Sequence, residues 1–449
     1  MQQEIADYVR SLGLDAYVVG GAVRDELLGL ESKDADFLVL GVDHEGLRAA
    51  LEPHGRVEDF EVAGNRVGVR LWPREHEIRR LARRGIEFAP PRRERSTGPG
   101  RHDFDIVVEA SAPVEEDLRR RDFTVNAMAR RLADGVLVDP FGGERDLRER
   151  VLRTVSPRSF AEDPLRIVRG LRFVSQLGLT ADEDTLRQMR EHAESVRLVS
   201  AERIGGGLDA DGMGELSKLL LGPDVLAALR LARDTGVLVA LVPQFARVVG
   251  YDTGTARQGT TVDEHTFAVV ENAPAVLPVR LAAFLHDLGK PEADETEEKH
   301  ADVSARIAND VLARLRYPTR LRRHVVAMVE THSFPLEEVD ELFARRFLRE
   351  HGRELAHDLV ALKDADLRAK TVAAWELEDS ARLRTLLEQQ AEQPHRLADL
   401  AVDGADLLEL GYCEGPLLGT ALSKLLDEVV EDPARNRREW LLERAKELV

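Results

Sequence analysis

Two aspartates, two residues apart at the start of an apolar run, are the strongest chemical signal in the sequence. Asp34 and Asp36 open the run ADFLVLG, whose composition is typical of a strand. Alternate side chains of a strand share a face, so both carboxylates project together. They repel each other unless a cation binds, and Mg²⁺ prefers a few carboxylates with phosphate oxygens. The pair predicts a Mg²⁺ site for a nucleoside triphosphate; a strand-entry turn is the alternative for Asp-x-Asp alone.

A glycine pair lies upstream of the two aspartates. Gly20 and Gly21 follow the apolar run AYVV and open a helical run that contains Arg24. Adjacent glycines after a strand let backbone N–H groups come close to a phosphate at the start of a helix. A plain strand–helix turn explains the pair when it is taken alone. Its combination with the downstream carboxylates favours a phosphate-binding turn.

The segment RRDFTVNA carries the third group of polar residues. Arg120 and Arg121 are adjacent, and the spacing places Asn126 one helical turn beyond Asp122. Guanidinium groups bind phosphates in a bidentate manner, so the segment predicts a clamp for triphosphate and ribose. A solvated, basic start of a helix is the alternative.

The fourth group is EDPLRIVR, at the start of a long helical run. Pro164 suits a first helical turn, and acidic residues suit a helix N-terminus. Glu162 and Asp163 lie four and three residues before Arg166, so the three side chains can share one face. An intrahelical ion pair is the alternative. A carboxylate and a guanidinium held edge-on can also hydrogen-bond the Watson–Crick edge of a nucleobase.

These four groups, in this order, resemble those of the class II tRNA nucleotidyltransferases, which include the bacterial CCA-adding enzymes and their poly(A) polymerase relatives. The resemblance covers most of the chain and includes a C-terminal motif. Its sequence motifs are GGAVRDELLG, KDADFLVLG, RRDFTVNAMA, VDPFGGERDL, EDPLRIVRGLRF and VDGADLLELGYCEGPLLGTAL.

The resemblance implies roles for individual residues. Asp34 and Asp36 would bind two catalytic Mg²⁺ ions, and Glu87 is a candidate third acidic position, although Pro90-Pro91 departs from the family's apolar pair there. The segment 92–98 is similar to the family's flexible loop, and GGGLDADGMG resembles an insertion in a neck helix. A protein template would select CTP and then ATP. The expected nucleotide-binding residues, template included, are Gly20, Gly21, Arg24, Arg120, Arg121, Asp122, Asn126, Glu162, Asp163, Arg166 and Arg169.

A separate set of histidines and aspartates lies in the second half of the chain. An adjacent His286-Asp287 pair ends the apolar run LAAFL, with His265 before it and Asp366 far beyond it. These N and O ligands suit a divalent transition metal such as Ni²⁺, Co²⁺ or Mn²⁺. The set resembles that of the HD-type metal phosphohydrolases. His300 and His332 fit the wider pattern or are plain surface or outer-sphere histidines, and a degenerate domain kept as a scaffold is the alternative for the whole set.

Composition limits the class of protein. The 449 residues carry a formal charge of −19, and the single Cys413 excludes an internal disulfide and a cysteine-based zinc site. We find no run of about 18 apolar residues and no signal-peptide pattern, so we expect a cytoplasmic protein without a membrane partner. Residues 66–131 nevertheless contain 16 Arg against 11 acidic residues. Positive charge is therefore concentrated in this segment, and acidic residues predominate in the rest of the chain.

The pattern of periodicities predicts an α+β multidomain fold. Short apolar runs alternate with helical patches in the first third, and helical spacing dominates afterwards. We expect a nucleotidyltransferase head with a small mixed sheet, then an all-α neck with RNA-binding and template functions, an HD domain and a helical tail. Their predicted bounds are 1–150, 151–260, 261–390 and 391–449.

The main functional hypothesis is template-independent addition of CCA to tRNA, with contacts to the acceptor end and the elbow. A poly(A) polymerase and an A-adding enzyme are alternatives within the same chemistry. The loop at 92–101 disfavours an enzyme that adds only CC. A phosphohydrolase with a nucleotide-binding head, and a silent RNA-binding scaffold, are alternatives from other classes. Both are disfavoured by the intact pair of Asp34 and Asp36, which neither would need.

Overall fold

The computed structural model describes residues 3–31, 36–62, 64–96, 104–206 and 213–448. The predicted multidomain α+β fold is confirmed: a mixed sheet lies in the first third, and helices make up nearly all of the rest. The chain forms two compact units, Met1–Pro243 and Gln244–Val449. The finer division into four domains stays a prediction. Asp34 lies outside the described residues.

Seven strands form the main sheet of the first unit, in the order β3-β4-β5-β2-β1-β8-β9. Only the β2–β5 pair is parallel among these neighbours. Two further pairs, β6–β7 and β10–β11, lie outside it. The strands are β1 Ala16–Val19, β2 Asp36–Val39, β3 Gly55–Val62, β4 Asn65–Pro73, β5 Ile86–Ala89, β6 Arg92–Ser96, β7 Phe104–Val108, β8 Ala129–Arg131, β9 Leu137–Val138, β10 Val151–Leu152 and β11 Thr180–Ala181.

The centre of this sheet is apolar because its short strands are almost continuously hydrophobic. All four residues of β1 (AYVV) are buried, as are three of the four residues of β2 (DFLV). Phe37 of β2 stacks on Phe88 of β5, with ring centroids 5.5 Å apart. Burying side chains of this size stabilises the sheet by about 1.5–3 kcal/mol each. Asp36 is the exposed first residue of β2, so a buried strand carries it to the edge of the core.

The described part of the first unit contains thirteen α-helices. They are α1 Gln3–Ser11, α2 Gly21–Leu27, α3 His44–Leu51, α4 His76–Leu81, α5 Val114–Arg119, α6 Gly143–Arg148, α7 Ser159–Glu162, α8 Leu165–Leu177, α9 Glu183–His192, α10 Ala201–Ile204, α11 Glu215–Leu220, α12 Val225–Asp234 and α13 Val237–Leu241.

The described part of the second unit is helical. Its α-helices are α14 Val262–Asn272, α15 Leu277–Leu285, α16 Lys290–Thr296, α17 His300–Arg314, α18 Thr319–Thr331, α19 Glu341–Arg368, α20 Ala374–Gln390, α21 Gly404–Glu409, α22 Pro416–Glu431 and α23 Arg438–Glu447. Gly352 has non-helical φ and ψ angles and kinks α19. None of the helices in the described ranges is long and apolar enough to cross a membrane.

Candidate functional sites

The first candidate site lies at the edge of the sheet where β2 and β5 run parallel. Asp36 and Glu87 are direct partners in the register of these strands, so their side chains leave the same face. Both line a cavity of about 150 Å³, together with Arg92, Arg120 and Arg121. This is a carboxylate pair facing several guanidinium groups, which suits a divalent cation with a polyphosphate. The structure thus places Glu87 beside Asp36, as a third acidic position would require.

Glu87 has a cationic partner on the neighbouring strand. Arg70 is opposite Glu87 in the β4–β5 register, and its Nε donates to the Glu87 carboxylate at 3.0 Å. Both side chains are partly exposed, at 39% and 35%. Arg70 was not among the residues expected at the site. Its position fixes the orientation of the Glu87 carboxylate.

The two expected arginines of the clamp are oriented by one buried carboxylate. Asp117 has no exposed side-chain surface, and it pairs with Arg120 at 2.9 Å and with Arg121 at 3.3 Å. Burial alone would raise the pKa of Asp117, but Arg120, Arg121 and Arg92 hold it below its usual value on balance. Asp117 is therefore ionised at neutral pH and holds both guanidinium groups at the rim of the cavity.

The predicted glycine turn lies against this arginine pair. Gly20 has φ of 68°, and a Cβ atom there would collide with Nη1 of Arg121. The backbone angle strains any residue with a side chain there, and a Cβ would also displace the Arg121 guanidinium. Gly21 begins α2, and Arg24 in that helix donates through Nη1 to Oδ1 of Asn126 at 2.8 Å. The first and third groups of the sequence therefore meet in space.

Asp122 and Asn126 belong to a hydrogen-bonded network. Nδ2 of Asn126 donates to Asp122 at 3.1 Å, and Nε of Arg169 donates to the other carboxylate oxygen at 2.8 Å. Burial opposes the charge of Asp122, yet Arg169, Asn126 and the Phe123 N–H hold its pKa far below the usual range. The predicted helical turn between Asp122 and Asn126 is wrong. The chain is extended at Phe123 and then makes a 3₁₀ turn, Thr124–Asn126, which leaves the two side chains in contact.

The proposed template residues surround the start of α8. Oδ1 of Asp163 accepts the N–H of Leu165 at 3.0 Å, as expected for an acidic residue at a helix N-terminus. Arg166 is 9% exposed; it donates to the backbone carbonyl of Arg120 at 2.6 Å and approaches Glu162 at 3.5 Å. The pair of Glu162 and Arg166 therefore exists, but it joins the end of α7 to α8 and is not intrahelical, because the chain is extended at Asp163. Arg166 also connects the third and fourth groups.

Several residues of this site were not expected from the sequence. Asp117 lies in an EED run typical of a solvated helix surface, yet it is buried. Glu215 is 7% exposed and pairs with Arg172 at 2.9 Å and with Arg169 at 3.5 Å. Arg203 pairs with Asp163 at 3.1 Å. Motif spacing gives no signal for partners so far apart along the chain.

A second candidate site lies in the second unit, where the expected His and Asp set converges. Nε2 of His265 lies 3.0 Å from Asp366 and 3.4 Å from Asp287, and Nε2 of His286 lies 3.2 Å from Asp287. The four residues are 0–5% exposed. The structure thus brings together residues that are as much as 101 positions apart in the sequence.

The polar atoms of this centre have the arrangement of metal ligands. Buried atoms that make no aligned hydrogen bond include both ring nitrogens of His265, Nε2 of His286 and Oδ1 of Asp366. Nδ1 of His286 lies 2.8 Å from the carbonyl of Ala283, which can only accept. Nδ1 therefore donates to this carbonyl, and Nε2 faces the two carboxylates. Burial opposes a charge on the ring, but Asp287 and Asp366 raise the pKa of His286 to about 9, so a metal at Nε2 would displace a proton. A divalent transition metal fits this set of N and O donors.

Two further histidines adjoin the centre. His300 and His332 form a second potential ligand group with Asp287, whose ligand atoms all lie within 4.8 Å of one another. Burial and the neighbouring His286 lower the pKa of His332 to about 3, so its ring is neutral at pH 7. Lys290 and Lys370 lie 2.7 Å from carboxylate oxygens of Asp287 and Asp366. The ammonium groups supply local positive charge suited to an anionic substrate.

Three family models match separate parts of the chain. The poly(A) polymerase head domain matches residues 16–153, and the probable RNA- and SrmB-binding site of polymerase A matches residues 178–248. The putative tRNA nucleotidyltransferase domain 2 matches residues 300–445. The models thus include the cavity of the first unit, and the third extends through most of the second unit.

Two relatives match nearly the whole chain along nearly all of their own length. The multifunctional CCA protein of Methylococcus capsulatus is 34% identical over 436 residues, which cover 92% of this chain and 93% of the relative. That of Xanthomonas campestris is 34% identical over 91% of this chain and 96% of the relative. Among solved structures, the CCA-adding enzyme of Bacillus stearothermophilus in complex with CTP has a TM-score of 0.70 and 25% identity, with 100% and 99% of the two chains covered.

Proposed function

The chain belongs to the tRNA nucleotidyltransferase family of the multifunctional CCA proteins, and we propose on this premise that it adds CCA to the 3′ end of tRNA. CTP and ATP are the proposed substrates, and the acceptor end and elbow of tRNA the proposed contacts. We place the activity in the cytoplasm. The reaction is template-independent nucleotidyl transfer.

The observation that carries this proposal is the cavity at the β2–β5 edge. Asp36 and Glu87 face guanidinium groups there that are already oriented by Asp117. Mg²⁺ held by Asp36, together with Asp34, would activate the RNA 3′-hydroxyl and stabilise the leaving pyrophosphate. Arg120 and Arg121 would bind the triphosphate, and the missing side chain at Gly20 leaves room for the Arg121 guanidinium. Because the guanidinium groups are held before the substrate arrives, little ordering is needed on binding.

Asp163 and Arg166 are the proposed readers of the incoming base, with Glu162 beside them. Their anchors support this role: the Leu165 N–H holds Asp163, and the carbonyl of Arg120 holds Arg166. A site with polar groups fixed in this way rejects a mismatched base strongly, since a mismatch leaves donors and acceptors unpaired. The network of Asp122, Asn126 and Arg169 would keep the helix α8 in place against the head.

The test uses tRNA that lacks CCA, or that ends after the first or the second C. Each substrate is incubated with CTP, with ATP and with both, and product lengths are read on a sequencing gel. We expect CC and then A, followed by a stop. Long A tails would indicate a poly(A) polymerase instead, and addition of A alone would indicate an A-adding enzyme.

A second activity is favoured by the buried centre of the other unit. We propose that His265, His286, Asp287 and Asp366 bind a divalent Ni²⁺, Co²⁺ or Mn²⁺ ion in an HD-type phosphohydrolase site. The buried polar atoms without hydrogen-bond partners support the metal, and the nearby Lys290 supports an anionic phosphate ester as substrate. A bound divalent ion would supply an activated water and polarise the phosphate.

Hydrolysis of 2′,3′-cyclic nucleotide and of a phosphate monoester tests this second activity. Each of the three metals is compared with Mg²⁺ after chelator treatment of the full chain. We expect hydrolysis with at least one transition metal and its loss in His286→Ala. Absence of hydrolysis, together with absence of metal binding by calorimetry, would leave this unit as a scaffold.

A further inference from the structure

The carboxylate of Asp163 is held from two sides. Oδ1 accepts the N–H of Leu165 at 3.0 Å, and Oδ2 pairs with Nη2 of Arg203 at 3.1 Å. Both side chains of the ion pair are largely buried: Asp163 is 17% exposed and Arg203 is 24% exposed. One partner is two residues further along the chain and the other is 40 residues further, and together they restrict rotation of the carboxylate.

Arg203 is itself held at a junction between two short helices. It lies in α10, which ends at Ile204, and α11 begins at Glu215. The N–H of Gly214 donates to the carbonyl of Gly205 at 2.8 Å, which joins the two helices. On the far side of the junction, Glu215 pairs with Arg172 of α8 at 2.9 Å. Ion pairs on both sides therefore attach the junction to α8 and to the turn before it.

The chemistry of the four bases shows what a fixed carboxylate would do here. Cytosine and adenine each carry an exocyclic amino group, which donates, and uracil and guanine carry a carbonyl oxygen at the equivalent position, which accepts. A carboxylate only accepts, so it favours cytosine and adenine and repels the other two. A guanidinium only donates, so it has the opposite preference.

We propose that Arg203 is a positioning residue for base selection, and that it also sets what happens when Asp163 is removed. This inference rests on the proposed reading of the base by Asp163. With both residues present, Arg203 is occupied by the carboxylate and keeps it aimed at the amino group. Without the carboxylate, Arg203 loses its acceptor and presents a donor, which would favour uracil and guanine. Loss of Asp163 should therefore invert selectivity, and loss of both residues should only relax it.

The experiment measures kcat and KM for CTP, ATP, UTP and GTP on tRNA substrates with the full chain. The variants are Arg203→Gln, Arg203→Lys, Asp163→Ala and the double variant Asp163→Ala/Arg203→Gln. We expect Arg203→Gln to reduce the CTP over UTP preference in kcat/KM by about 10-fold, and Arg203→Lys to restore most of it. Arg197→Gln is the matched control, since Arg197 has an ion pair with Glu194 at 2.9 Å on an exposed surface of the same unit.

The outcomes separate this inference from the function on which it rests. Normal selectivity in Asp163→Ala would overturn the proposed role of Asp163, and with it this inference. Reduced selectivity in Asp163→Ala with unchanged selectivity in Arg203→Gln would overturn only the role of Arg203. Equal UTP use by Asp163→Ala and the double variant would likewise exclude Arg203 as the donor. A drop in kcat for all four nucleotides in Arg203→Gln, with their ratios unchanged, would indicate a purely structural role.

Discussion

The two candidate sites balance charge in different ways. In the head, the guanidinium groups already have carboxylate partners: Arg120 and Arg121 share Asp117, and Arg169 pairs with Asp122. In the helical centre, two carboxylates have lysine partners, and histidine nitrogens converge on the same carboxylates, several of them without an aligned hydrogen bond. The first arrangement orients cations for a large, mobile polyanion. The second matches a small ion that must be surrounded by ligands. From this difference we expect the two proposed activities to fail independently.

The largest expected effect tests that independence from the head. Asp36→Ala should reduce nucleotide addition by about 1,000-fold or more with every nucleotide, because it removes a ligand of the proposed Mg²⁺ site. Hydrolysis in the other unit should be unchanged. Single-turnover addition to tRNA measures the effect. Asp59→Asn is the control, since Asp59 is a carboxylate of the same sheet whose partner is Arg48. Retained addition in Asp36→Ala would contradict the metal assignment.

The reciprocal change is His286→Ala. It should lower divalent-metal affinity and any phosphohydrolysis by about 100-fold, since a ligand with a fixed tautomer is lost. CCA addition should stay within about 2-fold of wild type, because the ring lies in the other compact unit. Calorimetric titration with Ni²⁺ measures binding. His324→Ala, which removes a histidine paired with Asp358 at 2.7 Å, should bind metal as wild type does. A large loss of CCA addition in His286→Ala would show that the two sites are not independent.

A smaller effect is expected where the head orients its arginines. Asp117→Asn removes the charge that holds Arg120 and Arg121, so KM for CTP and ATP should rise by about 10-fold with a smaller change in kcat. Steady-state kinetics give the split between kcat and KM. The free energy of unfolding must be measured as well, by chemical denaturation, because a change at the fully buried Asp117 also affects stability. Unaltered KM in a folded variant would mean that the arginines do not depend on Asp117.

The smallest effect concerns salt. Because basic charge is concentrated in the head of an otherwise acidic chain, the slope of log affinity for tRNA against log salt should be shallow. Fewer than about five phosphate contacts would give a slope below about 4 in magnitude. Filter binding across a range of KCl concentrations measures it. A much steeper slope would indicate that tRNA also contacts an extended basic surface.

How much of the site the sequence could predict depends on how many residues separate the interacting groups. The strand that carries Asp36 and the turn at Gly20 were predictable because each is encoded by a few adjacent residues. The convergence of His265 and Asp366 was expected only through the resemblance, since no local pattern links them. Asp117 could not be identified as buried because its EED run has the composition of a solvent-facing helix. Arg203 and Glu215 act through partners at least 40 residues away, and pairing over such distances is decided by tertiary packing.

The hydrogen bond between Gly205 and Gly214 has a consequence for engineering. Because this bond holds Gly205 and Gly214 together, the segment between these two glycines starts and finishes at nearly the same place. Exchanging that stretch for a longer one should cost little, because the entropy of closing a loop grows only slowly with its length. A fluorescent or affinity peptide grafted directly after Gly205 would begin three residues beyond Arg203. It could report on how the neck responds when CTP gives way to ATP.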